Sequence, residues 1–391
     1  MQRRDVLQLI GAGMLLPTGL LPMQMACAKA ASHSGRRLIL VELAGANDGL
    51  NTLVPYTNDH YHALRPVIGL GRDDIVQLDD ELAMHRELEP LMSLWDKAEL
   101  AWVHGLGYPR PNRSHFKSMA LWETGGDGNQ EGRRGWITHD LEHQYLLKSN
   151  DPHGISMDGG MNVFASDTGR WMSMSSARQI ANFSAPLPKD MTLQHTSLQL
   201  VTKRMQELHQ SLGSLSRKLG KVPSVKMFPG AELGRQLRSV VQLIRAGVDT
   251  PVYRVRLDGF DTHQNQPDRH AKLLRKLAAS LSRLRQVLRE DGEWANTVVM
   301  TYSEFGRRAA ENLNNGTDHG TAAPHIVMGG MVSGGFYGQQ PDLGNLLDGD
   351  PQYTMDYRAL YGTLLREWFD IDNNQFANFR EPRLSGLMHN T

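Results

Sequence analysis

Short unbroken apolar runs alternate along this chain with longer stretches in which apolar positions recur every three or four residues. The runs are Arg37–Leu43, Leu100–His104, Pro251–Leu257, Thr297–Thr301 and Ile326–Met328. Runs of this length, with little polar alternation, predict strands buried on both faces, as in a parallel sheet. Leu88–Leu100 predicts a helix, and residues 56–85 read as polar loop with short helices. Residues 140–195 predict an insertion with little regular structure. Stripes at Val201, Met205, Leu208, Leu212, Leu215 and Leu219, at Leu233, Leu237, Val241 and Ile244, and at Leu273, Leu277, Leu281, Leu284 and Leu288 predict three amphipathic helices. Asp356–Phe369 predicts a last one. Strands alternating with helices, without repeat or linker, predict a single α/β domain: a three-layer α/β/α sandwich on a mostly parallel sheet.

The first thirty residues have a different pattern. Arg3-Arg4 precede an apolar run, Val6–Leu21, and Ala28-Lys29-Ala30 offers a small-x-small cleavage site. The order Arg-Arg-Asp-Val-Leu resembles a twin-arginine export signal. It predicts passage through the twin-arginine translocation machinery and a periplasmic or secreted mature protein. Gly11, Gly13 and Pro17 make the run a poor permanent anchor, so no stable membrane span is expected after processing.

Charge and cysteine content narrow the chemistry. The 42 basic and 42 acidic residues balance, so no global basic field points to nucleic acid. The only cysteine, Cys27, lies in the segment read as a signal. A mature chain without thiols suits an oxidising compartment and leaves any metal to His and carboxylate ligands.

Candidate chemistry gathers after the predicted strands, where ligands of open α/β sheets bind. Asp48 follows the first, in a Gly-rich turn where it also reads as a turn-former. Arg113, Ser114 and His115 follow the second, with Ser114 placed either to cap a helix or to act beside its free N–H groups. Asp261 and His263 follow the strand that ends at Leu257. Glu304 and Arg307 follow Thr297–Thr301, and Asp318, His319 and His325 precede or enter the next run. Carboxylate and imidazole without sulfur suit a hard or borderline divalent ion.

The motifs GANDGLNTLVP, GYPRPNRSHFKSMALWETG, GFDTHQNQ, YSEFGRR and NGTDHGTAAPHIVMGGMVSGG together resemble the secreted bacterial family catalogued as domain of unknown function 1501, over roughly residues 36–370. That family is grouped with the alkaline phosphatase and sulfatase superfamily. The resemblance implies an alkaline-phosphatase-like fold with one or two divalent ions (Zn, Mn, Ca or Mg) at the strand ends. It implies Asp48, Asp261, His263, Glu304, Asp318, His319 and His325 as metal-ligand candidates and Ser114 as nucleophile. Phe305 would stand where the superfamily has a ligand His, leaving a second ion short of an imidazole unless His115 or His325 supplies one. The implied activity is hydrolysis of phosphate or sulfate esters, by Ser114 or water, with Arg113 or Arg307 holding the anion. Substrates would be anionic small molecules or glycan esters. The alternative is a degenerate module of the same fold that docks a glycan, an anion or a partner protein.

Overall fold

All eight residues of β1 (Arg37–Ala44) are buried, as expected of a strand covered on both faces. Its alternate side chains enter different layers. Ile39, Val41 and Leu43 join one core with Leu237, Val241, Leu277 and Leu281, whereas Leu38 and Leu40 join the other with Trp122, Leu141 and Leu360. The period of two along one strand thus produces three layers. The computed structural model describes residues 35–145, 151–177, 180, 196–222, 225–381 and 384–389. The segment read as an export signal lies outside them. Ser34–Thr391 form one compact unit.

The main sheet also contains β2 (Leu100–Gly107), β3 (Gly154–Ser156), β4 (Trp171–Ser173), β5 (Val252–Asp258), β6 (Thr297–Tyr302), β7 (Ala323–Gly329), β8 (Gly335–Tyr337) and β9 (Met355–Asp356). Its order is β8-β2-β7-β6-β1-β5-β3-β4, with β9 also paired to β2. Among the described residues only β7 runs antiparallel to its neighbours. One layer holds α3 (Thr196–Leu219), α4 (Ala231–Arg245) and α5 (Gln266–Glu290); the other holds α1 (His115–Thr124), α2 (Thr138–Tyr145) and α6 (Tyr357–Thr363). Among the described residues no helix is long and apolar enough to cross a membrane.

Register brings the strand ends level. Ala44 pairs with Asp258 and Glu42 with Tyr302, so the loops after β1, β5 and β6 leave at one rim. The antiparallel direction of β7 returns the chain to that rim, with Ala323 opposite Leu106 of β2. Residues 303–322 therefore begin and end beside the other strand-end loops.

Three predicted segments take other forms. Leu88–Leu100 is not one helix: a 3-10 stretch, Arg86–Leu91, contains Pro90 and gives way to the short helix Met92–Trp95. Proline lacks the N–H that a continuous α-helix needs there. Within 56–85, Ala83–His85 pairs with both Ile75–Gln77 and Leu53–Val54 in a second, antiparallel sheet. Within 140–195, β3 and β4 extend the main sheet beyond β5.

Candidate metal centre

The rim loops are locked together before any functional group is considered. Gly45, after β1, has φ +106°, and a Cβ there would lie 2.4 Å from the Asp261 nitrogen. Only glycine allows the loops after β1 and β5 to approach this closely. Arg307 is buried and clamps the same loops. Its Nε donates to the Ala46 carbonyl at 2.7 Å, Nη1 to the Thr317 carbonyl at 2.9 Å, and Nη2 to the Phe260 carbonyl at 3.1 Å and to Asp261 Oδ1 at 2.7 Å. Nη2 also contacts the Gly45 carbonyl. Across the rim, Ser118 Oγ of α1 donates to the Glu304 carbonyl, fixing the first turn of that helix over the loop after β6.

Donor atoms gather on this frame in two overlapping sets. His115 and His319 bring their Nε2 atoms to 3.0 Å, and His263 brings its Nε2 to 2.9 Å from that of His319. Asp261 Oδ1 lies 3.0 Å from His263 Nε2, 3.4 Å from His319 Nε2 and 3.7 Å from His115 Nε2. A zinc ion with bonds of about 2.0–2.1 Å sets tetrahedral donors about 3.3 Å apart, and these separations lie on either side of that spacing. His115, His319 and Asp261 form one triangle. His263 forms a second on the His319–Asp261 edge.

The opposite ring nitrogens explain why the Nε2 atoms are available. His115 Nδ1 donates to Glu304 Oε1 at 2.6 Å, His319 Nδ1 to the Arg113 carbonyl at 2.9 Å, and His263 Nδ1 faces Asp318 Oδ1 at 3.3 Å. Carboxylates and a carbonyl only accept, so each Nδ1 carries the proton and each Nε2 keeps its lone pair. Lone pairs and a carboxylate so arranged offer a donor set that a divalent cation can bridge. Metal-binding histidines are braced at the far nitrogen in this way.

The charge states agree. Burial would raise the Glu304 carboxyl, but hydrogen bonds from His115 and from backbone N–H groups hold its pKa below the ordinary value. For Asp261, Arg307 outweighs burial in the same direction, followed by His263 and His115. The hydrogen bond from Asn312, and then His263, lower Asp318. Burial, with Arg307 and the neighbouring imidazoles, lowers His319 despite the Arg113 carbonyl, so that ring is neutral at neutral pH.

Several sequence-based assignments change. Asp48 is not among the converging donors. It is buried, its Oδ2 lies 2.6 Å from Arg65 Nη1 and its Oδ1 3.0 Å from Nη2, and Gln266 also donates to it. Arg65 comes from a segment read as polar loop and carried no signal of this role. Glu304 and Asp318 brace imidazoles rather than join the converging oxygens and nitrogens. His325 stands on β7 with its ring 5.4 Å from Trp122; its Nδ1 has no hydrogen-bond partner, and burial pushes its pKa down to about 3. Arg307 is too fully engaged to hold an anion, and the Arg113 guanidinium grips buried Asp350. Phe305 is buried and packs 5.1 Å from the His115 ring and 5.0 Å from the His319 ring. It is a backing for two imidazoles. Ser114 is exposed at the N-cap of α1, and its hydroxyl makes no capping bond.

Residues 89–387 match the family model described as "Protein of unknown function (DUF1501)". The chain belongs to the DUF1501 family. No curated protein matches the sequence. Solved structures to which this DUF1501 protein is similar include the lipoteichoic acid synthase LtaP from Listeria monocytogenes, at 10% identity over 83% of this chain and 76% of that one, with a TM-score of 0.34. They also include PsFucS1 sulfatase from Pseudoalteromonas sp., at 13% over 91% and 74%, TM-score 0.39. A third is a protein in the alkaline phosphatase superfamily from Vibrio parahaemolyticus, at 11% over 76% and 60%, TM-score 0.34. Likeness this distant carries no statement about the chemistry of the DUF1501 protein, which rests on its own rim.

Proposed function

We propose that this DUF1501 protein is an exported, metal-dependent hydrolase of phosphate or sulfate esters, with one divalent ion held by His115, His319 and Asp261 and with His263 beside them on the His319–Asp261 edge. The observation that carries the reading is the convergence of three imidazole Nε2 atoms whose Nδ1 atoms are all engaged by acceptors. Nitrogen-rich ligation favours zinc over calcium or magnesium, which prefer oxygen. When bound, such an ion polarises an ester oxygen.

The protein's own groups account for the rest. Glu304, Asp318 and the Arg113 carbonyl hold the rings in the ligating tautomer. Ser114 is the candidate nucleophile, since it adjoins His115 and its hydroxyl is free of a capping bond. Its place at the N-terminus of α1 puts unsatisfied N–H groups and the positive end of the helix dipole beside the reacting anion. The removable segment 1–30 with its paired arginines supports export.

Metal analysis of the purified mature protein tests the reading, together with hydrolysis of aryl phosphates and sulfates. One equivalent of zinc, and turnover lost in Ser114→Ala with zinc retained, is the expected result. A folded protein that takes up no zinc, manganese, calcium or magnesium would overturn it in favour of a binding module.

A further inference from the structure

A cleft of about 390 Å³ opens beside the cluster, with His115, Asp261 and Glu304 in its lining. This volume lies within the range of about 300–1,000 Å³ usual for small-molecule sites. Two elements give the cleft unlike surfaces. From α1 come Phe116 and Met119, one helical turn apart and therefore on the same side of the helix. Phe116 is 91% exposed, although it sits next to a proposed metal ligand and burial would favour its ring. From the end of β5 come Arg256 and Asp258, two residues apart and on one face of the strand. Arg256 Nε lies 2.7 Å from Asp258 Oδ1, and its guanidinium is 3.6 Å from Glu42 Oε1. The Asp258 side chain is 70% exposed. An open aromatic face, a fixed guanidinium and an exposed carboxylate thus share one cleft with the cluster.

These surfaces select among ester substrates. A purely aromatic or alkyl group would satisfy Phe116 and Met119 but make no use of the donors and acceptors that Arg256 and Asp258 keep beyond their mutual ion pair. A small polar group would leave Phe116 in water. A pyranose ring meets both, because its C–H face is apolar while its hydroxyl rim donates to carboxylates and accepts from guanidinium. We propose that this cleft is a sugar subsite, in which the ring of a carbohydrate ester lies on Phe116 and Met119 and is held at its hydroxyls by Asp258 and Arg256. The inference rests on the proposed function for the destination of the ester group, but the subsite itself does not require the ion.

Saturation-transfer NMR and calorimetry test it with a panel of monosulfated and monophosphorylated pyranoses, the parent sugars, and methyl sulfate and methyl phosphate as ringless esters. Zinc binding is measured in parallel. At least one sugar ester is expected to bind about tenfold more tightly than the methyl ester of the same anion. Phe116→Ala and Asp258→Asn should each remove most of that preference without changing zinc content. Because Phe116 is exposed, its truncation leaves the folded core untouched. Sugar esters that bind no better than methyl esters, or a preference unchanged in both variants, would overturn the subsite even if zinc binds. Parent sugars that bind through Phe116 in a protein taking up no zinc would uphold the subsite and overturn only the metal reading.

Discussion

His115 and His319 direct their Nε2 atoms at one another across 3.0 Å, while their Nδ1 atoms are held by Glu304 and by the Arg113 carbonyl. Two Nε2 lone pairs directed at one another repel unless a cation lies between them. The bracing groups should therefore control metal affinity without touching the metal. Glu304→Gln is expected to weaken zinc binding about 10- to 100-fold, because an amide is a weaker acceptor and no longer fixes the tautomer. His319→Ala should abolish binding. Competition with a chromogenic chelator measures both, and unchanged affinity in Glu304→Gln would exclude the bracing role.

Asp350 should act on the same site from further away. It is buried and grips Arg113, whose carbonyl orients His319. Asp350→Ala frees the Arg113 side chain and loosens that carbonyl. Zinc affinity should fall by about tenfold, with circular dichroism unchanged; an unaltered affinity would mean that the backbone at Arg113 is held by other contacts.

Asp48 and Arg65 make a prediction about stability and pH instead of metal binding. Both side chains are essentially inaccessible, and removing one partner of a buried pair costs about 3–5 kcal/mol. Arg65→Met should lower the denaturation midpoint accordingly at pH 7. Burial alone would raise the Asp48 carboxyl, but Arg65 overcomes it and holds the pKa below the ordinary value. A carboxyl depressed in the folded state stabilises above its unfolded pKa of about 3.9, and that contribution is lost as pH falls through the folded value. The stability gap between wild type and Arg65→Met should therefore narrow below about pH 4, as denaturant titrations at several pH values will show.

Phe305→His distinguishes a packing residue from a vacant ligand position. With the ring buried against His115 and His319, the substitution should reduce both stability and zinc affinity. A gain in zinc retention would show that position 305 can reach the ion after all.

Gly45→Ala probes the approach of two rim loops. The added methyl would meet the Asp261 nitrogen at 2.4 Å, and the backbone there has φ +106°. The strained backbone alone should cost about 1–3 kcal/mol, and displacement of Asp261 should weaken zinc binding in the same variant.

The sequence by itself determined the strands that form the centre of the sheet and the three long helices, because continuous apolar runs and stripes at three- and four-residue spacing leave few other ways to bury apolar surface. It also placed Asp261, His263, Glu304 and His319 in strand-end loops, since each closely follows or precedes such a run. It could not decide which atoms of those residues meet. Asp48 and Asp261 look equivalent along the chain, yet Arg65 holds one in the interior, whereas the other, paired with Arg307, still faces the imidazoles. Glu304 appeared as a metal ligand and His115 as a possible substitute for a missing one, and the hydrogen bond from His115 Nδ1 gives the carboxylate a bracing part instead. These distinctions depend on side-chain direction and on partners up to 259 positions apart, such as Gly45 and Glu304. Hydrophobic periodicity encodes which face of an element is buried; only packing of the finished sheet decides which polar atoms are left facing one another at its edge.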